Sequence, residues 1–203
     1  MPSNKKLLQA AAGSAGGDPL YVEDVFSTFL YTGTASAITI NNGIDLSGGG
    51  LTWLKSRSLA EANILMDTTR GVSSALVSNN TNAAFTLSTG NINNTNASTN
   101  ASWSFRKAKK FFDVITTTLS TGSGVFTAAS TGTVNGDGTL TIPHSLGSAP
   151  GCIMIKVYSG DTGSWRVYHR SATNNLILNE TGAQVGNYFG NVTDASFDLI
   201  STG

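Results

Sequence analysis

Few residues in this chain belong to the types that carry out chemistry. The chain has two histidines, His144 and His169, and one cysteine, Cys152. A catalytic histidine needs a carboxylate and a nucleophile within hydrogen-bonding reach, and no spacing in the sequence connects an aspartate to either histidine. His144 directly follows Pro143 at the expected end of a strand, where a structural role is the simpler interpretation. The sequence therefore predicts no catalytic residue and no enzyme.

The segment Asn135-Gly136-Asp137-Gly138 is similar to the start of a calcium-binding loop. It lacks the remaining ligands and the distal glutamate of such a loop, and a tight turn explains it without an ion. A single cysteine excludes a disulfide framework and a cysteine-based zinc cluster. We therefore expect no metal and no cofactor.

Aromatic side chains are the remaining candidates for a binding surface, because sugars stack on exposed rings. In alternating strands, however, aromatic residues usually fill the core. The exception in this chain is Trp165, which comes directly after a glycine- and serine-rich loop. If the chain binds a host glycan or receptor, the predicted contacts are Trp165, Tyr188 and Phe189.

The composition excludes several classes of protein. Charged residues make up 12% of the chain, about half the usual share, and the 12 basic and 12 acidic residues cancel. A nucleic-acid partner would require a basic excess, so none is expected. No apolar run approaches the ~18 residues of a membrane span, so membrane insertion is not expected either. A surface rich in Ser, Thr, Asn and Gly suits packing between subunits and adhesion.

The first 20 residues are predicted to form a separate arm. Ser3 can cap a short helix over residues 4–12, and a flexible Gly/Ala/Ser tether follows at 13–17. Such a short helix is marginal alone in water, so it needs a surface to dock on. The alternative is a signal peptide, but the apolar stretch is shorter than an export core. The residues predicted to anchor the arm are Leu7, Leu8, Ala11 and Tyr21.

From Tyr21 onward the pattern is that of β-structure. Residues 37–40, 51–55 and 138–142 alternate between apolar and polar and are bounded by turn-forming clusters. Residues 153–157 are nearly all apolar and are expected to form a central strand. No second convincing helix is present, and the predicted fold class is all-β.

The chain also contains an internal duplication. Residues 24–33 match residues 113–122 at six of ten positions. Further along, Leu51–Lys55 aligns with Cys152–Lys156, and Leu76–Ala83 with Leu176–Ala183. These matches predict two tandem, homologous, β-sandwich-like repeats, preceded by the short helical or extended arm. The expected divisions are residues 1–20 for the arm and linker, 21–110 for repeat 1 and 111–203 for repeat 2.

The second repeat is expected to be truncated. It has no visible counterpart of the segment Ala101–Phe105 of the first repeat. We therefore expect that the native chain continues past Gly203 or that a neighbouring subunit closes an open sheet edge.

Several longer stretches of the chain carry a resemblance to a known family: residues 18–28, 43–47, 53–55, 67–71, 103–108, 111–114, 142–151 and 165–170. They resemble a duplicated β domain of tail-fibre and other virion proteins of marine tailed bacteriophages, and the resemblance covers nearly the whole chain. It implies a sandwich of the concanavalin/laminin-G type, a virion structural role and no enzymatic activity.

Together these observations predict a virion structural protein, most specifically a tail fibre or a tail-attached adhesion protein located in the virion tail. The N-terminal arm would bind other phage tail proteins, and a homotrimer is expected because fibres commonly have three-fold symmetry. A host-surface glycan is a further expected partner. Two alternatives stay open: a capsid decoration or neck protein, and a glycan-binding module of a surface protein.

Overall fold

The computed structural model describes residues 20–87, 94–160, 162–182 and 186–201. In these residues the chain is all-β, which confirms the predicted fold class; fifteen strands accompany one short helix, α1 (Val22–Val25). The strands are β1 (Phe26–Thr32), β2 (Gly50–Ser56), β3 (Ile64–Asp67), β4 (Ser74–Val77), β5 (Phe85–Thr86), β6 (Thr99–Arg106), β7 (Leu119–Gly122), β8 (Val125–Ala129), β9 (Thr133–Val134), β10 (Leu140–Pro143), β11 (Cys152–Ile155), β12 (Arg166–His169), β13 (Leu176–Ile177), β14 (Phe189–Gly190) and β15 (Ser196–Leu199).

The first half forms one six-stranded sheet with the strand order β1-β6-β2-β3-β4-β5. Its strands alternate side chains between two faces, and apolar residues are buried on both. One face carries a cluster around Leu54, Ile64 and Val77. The opposite face carries Leu65 and Leu76, which contact the second half of the chain.

The segment that connects β1 to β2 contains the predicted strand at residues 37–40, and this prediction is wrong. Residues 37–40 form no strand and are largely exposed. Two side-chain hydrogen bonds help to hold the segment: Asn42 Nδ2 donates to Ser104 Oγ at 2.7 Å, and Asn94 Oδ1 accepts from the amide of Thr34 at 2.8 Å. These bonds satisfy polar groups next to β6, where Ser104 is buried.

The second half contains a four-stranded sheet, β14-β15-β10-β9, a three-stranded sheet, β11-β12-β13, and the hairpin β7-β8. A core cluster of Leu140, Ile142, Phe189, Phe197 and Leu199 joins them, and Ile153 and Ile155 of β11 pack against it.

The expectation of a central strand at residues 153–157 is wrong, because β11 is an edge strand. The strand ends at Ile155, and within the described ranges it pairs only with β12, so it lies at the edge of its sheet. Its other face is open, with Met154 40% exposed. A nearly continuous apolar run is typical of a strand covered on both faces, but only one face of β11 is covered.

Two of the three aligned pairs of segments occupy matching places in the two halves. The pair 24–33 and 113–122 does not, because β1 belongs to the six-stranded sheet whereas β7 forms a separate hairpin with β8. The antiparallel series β2-β3-β4 of the first half corresponds to β11-β12-β13 of the second half. The first strands of the two series fall at Leu51–Lys55 and Cys152–Lys156, and the third strands fall at the start of Leu76–Ala83 and Leu176–Ala183. β15, near the end of the chain, is an inner strand paired with β10 and β14. The repeat boundaries themselves stay a prediction.

Candidate functional site

A cleft between the two halves gathers most of the residue types that could do chemistry. It is open to solvent, has a volume of about 410 Å³, and is lined by Lys107, Asp113, His144 and Ser145 together with Thr69 and several small apolar side chains. Residues 107 and 113 come from the segment that joins the halves, whereas 144 and 145 follow β10. The fold therefore brings the ammonium and carboxylate of one segment next to the imidazole and hydroxyl of another, with Asp113 and Ser145 32 positions apart.

Asp113 is the centre of this group. Its side chain is 5% exposed, and Lys107 Nζ lies 2.7 Å from its Oδ1. Its Oδ2 accepts from the amide of Ser145 at 2.9 Å and from the Ser145 hydroxyl at 2.8 Å. Burial raises the pKa of Asp113, but the hydrogen bonds from Lys107 and Ser145 lower the pKa by more, so the net shift is downward. The carboxylate is thus a charged structural anchor.

The arrangement does not form a nucleophilic relay. In such a relay the hydroxyl donates to a histidine that a carboxylate orients, whereas Ser145 donates directly to Asp113. His144 is engaged elsewhere: its Nδ1 accepts from the amide of Leu146 at 3.3 Å, and its Nε2 lies 3.3 Å from the carbonyl oxygen of Thr193. These contacts fit a neutral imidazole that carries its proton on Nε2.

Trp165 lies in the contact between the halves and not at the surface. It is 5% exposed and packs against Leu65 and Leu76 of the first sheet. Its indole Nε1 donates to the carbonyl oxygen of Val77 at 2.9 Å, and its amide donates to Asn179 Oδ1 at 2.7 Å. The ring therefore has no free face on which a sugar could stack, and the prediction of a glycan contact at Trp165 is corrected to a role in joining the halves.

Three further bonds cross the same contact. The amide of Ala84 donates to the carbonyl oxygen of Tyr158 at 2.8 Å, and the amide of Gly163 donates to the carbonyl oxygen of Thr81 at 3.1 Å. Lys156 Nζ reaches the same Thr81 oxygen at 2.8 Å, and burial lowers the pKa of this lysine. We refer to this set of contacts, with Trp165 at its centre, as the seam.

Phe189 and Tyr188 have different surroundings although they are adjacent. Phe189 is 8% exposed and belongs to the core, with ring centroids 5.9 Å from Tyr168 and 6.1 Å from Phe197. Its predicted role in a surface contact is therefore corrected to core packing. Tyr188 is half-buried, and the guanidinium carbon of Arg166 lies 4.2 Å from its ring centroid.

The fold does not bring Trp165 and Tyr188 onto one surface. Successive residues of an extended strand face opposite sides, and Arg166, which covers Tyr188, directly follows Trp165. The two rings also belong to different clusters: Trp165 packs with Leu65 and Leu76, whereas Tyr188 packs against the core of the second half. Of the three predicted contacts, Tyr188 is the one that keeps access to solvent.

The structure identifies a different aromatic pair that reaches the surface. Trp53 and Trp103 are directly opposite each other on β2 and β6, with ring centroids 6.1 Å apart in an edge-to-face arrangement. Both are half-buried, and the next strand on that face presents Leu30, 57% exposed. The alternation of β2 and β6 predicts that these rings share one face of their strands. Only the strand order shows that the described sheet ends one strand beyond Trp103, at β1.

Of the predicted anchoring residues, Leu7, Leu8 and Ala11 lie outside the described residues. Tyr21 is described, and it is the N-cap residue directly before α1. Its amide donates to Asp24 Oδ2 at 3.2 Å, and its carbonyl oxygen accepts from the amide of Asp24 at 3.0 Å. Tyr21 therefore has a local role at the N-terminus of α1, and its role in anchoring stays a prediction.

The other candidate residues have local structural partners. Asp137 Oδ1 accepts from the amide of Thr139 at 3.0 Å and from its hydroxyl at 2.8 Å, which closes a turn. His169 Nδ1 accepts from the amide of Ser171, and partial burial raises the pKa of the Cys152 thiol.

Among the described residues, no three His, Cys, Asp or Glu side chains are grouped to hold a metal ion. No helix in that part of the chain is long and apolar enough to span a membrane.

Comparison with known proteins identifies a family. The model of a family described as a domain of unknown function (DUF7483) matches residues 22–203. No curated protein and no solved structure matches the chain.

Proposed function

We propose a function for this chain, which belongs to the DUF7483 family of domains of unknown function: it is a virion structural protein of a tailed bacteriophage, and most specifically a tail fibre or a tail-attached adhesion protein. The proposal starts from the motifs that resemble virion proteins. The structural observation that supports it best is the seam, because Trp165 and the bonds around it join two β units into one body.

A joined pair of β units suits a rigid spacer between an anchor and a distal contact. Trp165 inserts into the core of the first sheet, and backbone hydrogen bonds cross the same surface. Bending at the seam would break these bonds and expose buried apolar area, which is unfavourable by about 25 cal/mol per Å². The protein would therefore transmit position along a fibre without acting on a substrate.

The chemistry of the cleft agrees with a structural role. Asp113, Lys107 and Ser145 satisfy one another, and the His144 ring nitrogens contact backbone groups. A hydrolytic or transfer reaction needs a base that is free to accept a proton from the nucleophile. The arrangement instead fixes the chain that enters the second half.

In this proposal the arm at residues 1–20 attaches the protein to other tail proteins through Leu7, Leu8, Ala11 and Tyr21. Contact with a host-surface glycan is assigned to Tyr188, which is half-buried and has the Arg166 guanidinium over its ring. Adhesion would depend on several copies, since many weak contacts on one particle combine into avidity.

Immunogold labelling of intact virions tests the proposal. Antibody is raised against residues 24–203 and applied to purified particles of the source phage, with pre-adsorbed serum as the control. Gold clustered on the tail is the expected result. Gold spread over the head would favour the capsid decoration or neck alternative, and absence of the protein from purified particles, checked by mass spectrometry, would refute the virion assignment.

A further inference from the structure

Among the described residues, β1 is the last strand at one edge of the first sheet, and it lacks the features that normally prevent edges from pairing. Edge strands are usually protected by short length, by charged or proline residues, or by a bulge. β1 has seven residues, Phe26–Thr32, with no charge, no proline and no glycine. Its register with β6 is continuous over all seven pairs.

The other edges in the described part of the chain are protected. β5, β9, β13 and β14 are two residues long each. β11 has four residues, and the hairpin β7-β8 contains a register shift at Ser120/Thr121. β1 is therefore exceptional among these edges in both length and regularity.

The hydrogen-bonding direction of each residue in β1 follows from the structure. Gly33, directly after β1, donates its amide to the carbonyl oxygen of Ser98 at 2.8 Å, toward the β6 side. Backbone groups in an antiparallel strand alternate in direction, so Phe29 also points toward β6. Thr28 and Leu30 then direct their backbone N–H and C=O groups to the open edge. Their side chains are exposed as well, with Leu30 at 57%.

From this geometry we infer that β1 pairs with β1 of a second copy of the chain, antiparallel and across a two-fold axis at Phe29. This register places Thr28 opposite Leu30 of the second copy and the two Phe29 residues opposite each other. In this register, the paired residues of the two copies both direct their backbone N–H and C=O groups away from β6, as hydrogen-bonded antiparallel pairing requires. The pairing uses the full length of both strands. About eight hydrogen bonds would form, two for each outward-facing pair.

The second copy is favoured as the partner because the edge complements itself. No like charges oppose each other in this register, since β1 has none. Leu30 of one copy would cover Thr28 of the other. Within each copy Thr28 pairs with the half-buried Trp103, so Leu30 would extend the apolar surface on the Trp103 face of the sheet. The described part of each chain has one such edge, so pairing closes at two copies. This differs from the homotrimer expected from the sequence, and it does not depend on the phage assignment.

The test is the mass of the full chain in solution, measured by light scattering coupled to size-exclusion chromatography at about 100 µM. The expected mass is twice the 21.0 kDa of the chain. Leu30→Lys and Thr28→Pro should each give the monomer mass. Proline is tolerated where the N–H faces away from the sheet, so Thr28→Pro blocks the edge while β1 stays paired with β6.

Val72→Lys is the matched control, because Val72 is 68% exposed and lies outside the strands. This variant should keep the dimer mass, and circular dichroism should show that all the variants are folded. A monomeric or trimeric wild-type chain would overturn the inference. It would also be overturned if folded Leu30→Lys and Thr28→Pro chains both stayed dimeric.

Hydrogen exchange distinguishes a second copy from another strand of the same chain. The Thr28 and Leu30 amides should exchange slowly in the dimer and quickly on dilution to monomer, while Phe29 stays protected in both. Slow exchange at Thr28 and Leu30 in a monomer would mean that the chain covers its own edge, which would overturn the inference.

Discussion

Replacement of Trp165 by phenylalanine tests the seam most directly. The indole has two roles there: it fills the space beside Leu65 and Leu76, and its Nε1 donates to the carbonyl oxygen of Val77 at 2.9 Å. Phenylalanine keeps an aromatic ring but is smaller and has no donor. The variant therefore leaves a void and an unpaired carbonyl while preserving the strand.

The expected loss of stability follows from these two effects. An indole exceeds a phenyl ring by roughly 40 Å³, and a cavity costs about 24 cal/mol per Å³, so the void contributes about 1 kcal/mol. The unsatisfied carbonyl of Val77 contributes about 1–3 kcal/mol. Trp165→Phe should therefore lower the free energy of unfolding by about 2–4 kcal/mol. In a chain of this length, that corresponds to a fall in Tm on the order of 10 °C.

Urea denaturation followed by far-UV circular dichroism measures this difference, because the signal does not depend on the tryptophan that is removed. Trp103→Phe is the matched control: the same change of ring is made at a half-buried position on the sheet surface. Its expected cost is below about 1 kcal/mol. If the two variants differ by less than about 0.5 kcal/mol, the reasoning about the seam is refuted.

Three further predictions concern other parts of the molecule. The pKa of Asp113 is lowered in the folded chain, so its charge stabilises the fold at pH values above its ordinary pKa of about 4, and this contribution is lost as the pH falls through the lower folded value. Urea denaturation of wild type and Asp113→Asn at a series of pH values should therefore show a difference in stability that narrows below about pH 4. A difference that stays constant with pH would contradict the prediction. Gly132 has a φ of +105°, and a Cβ there would lie 2.5 Å from the Thr141 carbonyl oxygen. Gly132→Ala should therefore lower the free energy of unfolding, measured by urea denaturation, by about 1–3 kcal/mol. The control Gly136→Ala has open space around it and should lower this free energy by less than about 1 kcal/mol. If Tyr188 contacts a host glycan, Tyr188→Ala should slow adsorption of otherwise normal particles to host cells, and an unchanged adsorption rate would argue against this contact.

Several features could be predicted from the sequence because they depend on local patterns. Alternation at residues 51–55 and 138–142 predicts strands, and β2 and β10 lie there. The turn at Asn135–Gly138 follows from residues that favour tight turns, and Asp137 closes it. The match of Leu51–Lys55 with Cys152–Lys156 placed corresponding strands in the two halves. Such features need only the few residues around them.

The candidate residues show where local patterns are insufficient. Asp113 and Ser145 are 32 positions apart, and no short-range pattern indicates that they form a bonded pair. Trp165 follows a loop, which suggests exposure, yet the first sheet covers it through Leu65 and Leu76. Phe189 is likewise taken into a core whose other members come from β10 and β15.

The sequence by itself determined the all-β class and the positions of many strands, because the alternation of side chains along a strand is encoded by neighbouring residues. The tertiary structure alone decided which strands became edges and which faces were covered, because both depend on partners distant in the chain. β11 carries an apolar run but lies at an edge. β1 has an equally ordinary strand sequence, and its place at the end of the sheet, together with its seven-residue length, is what makes it the proposed surface for pairing.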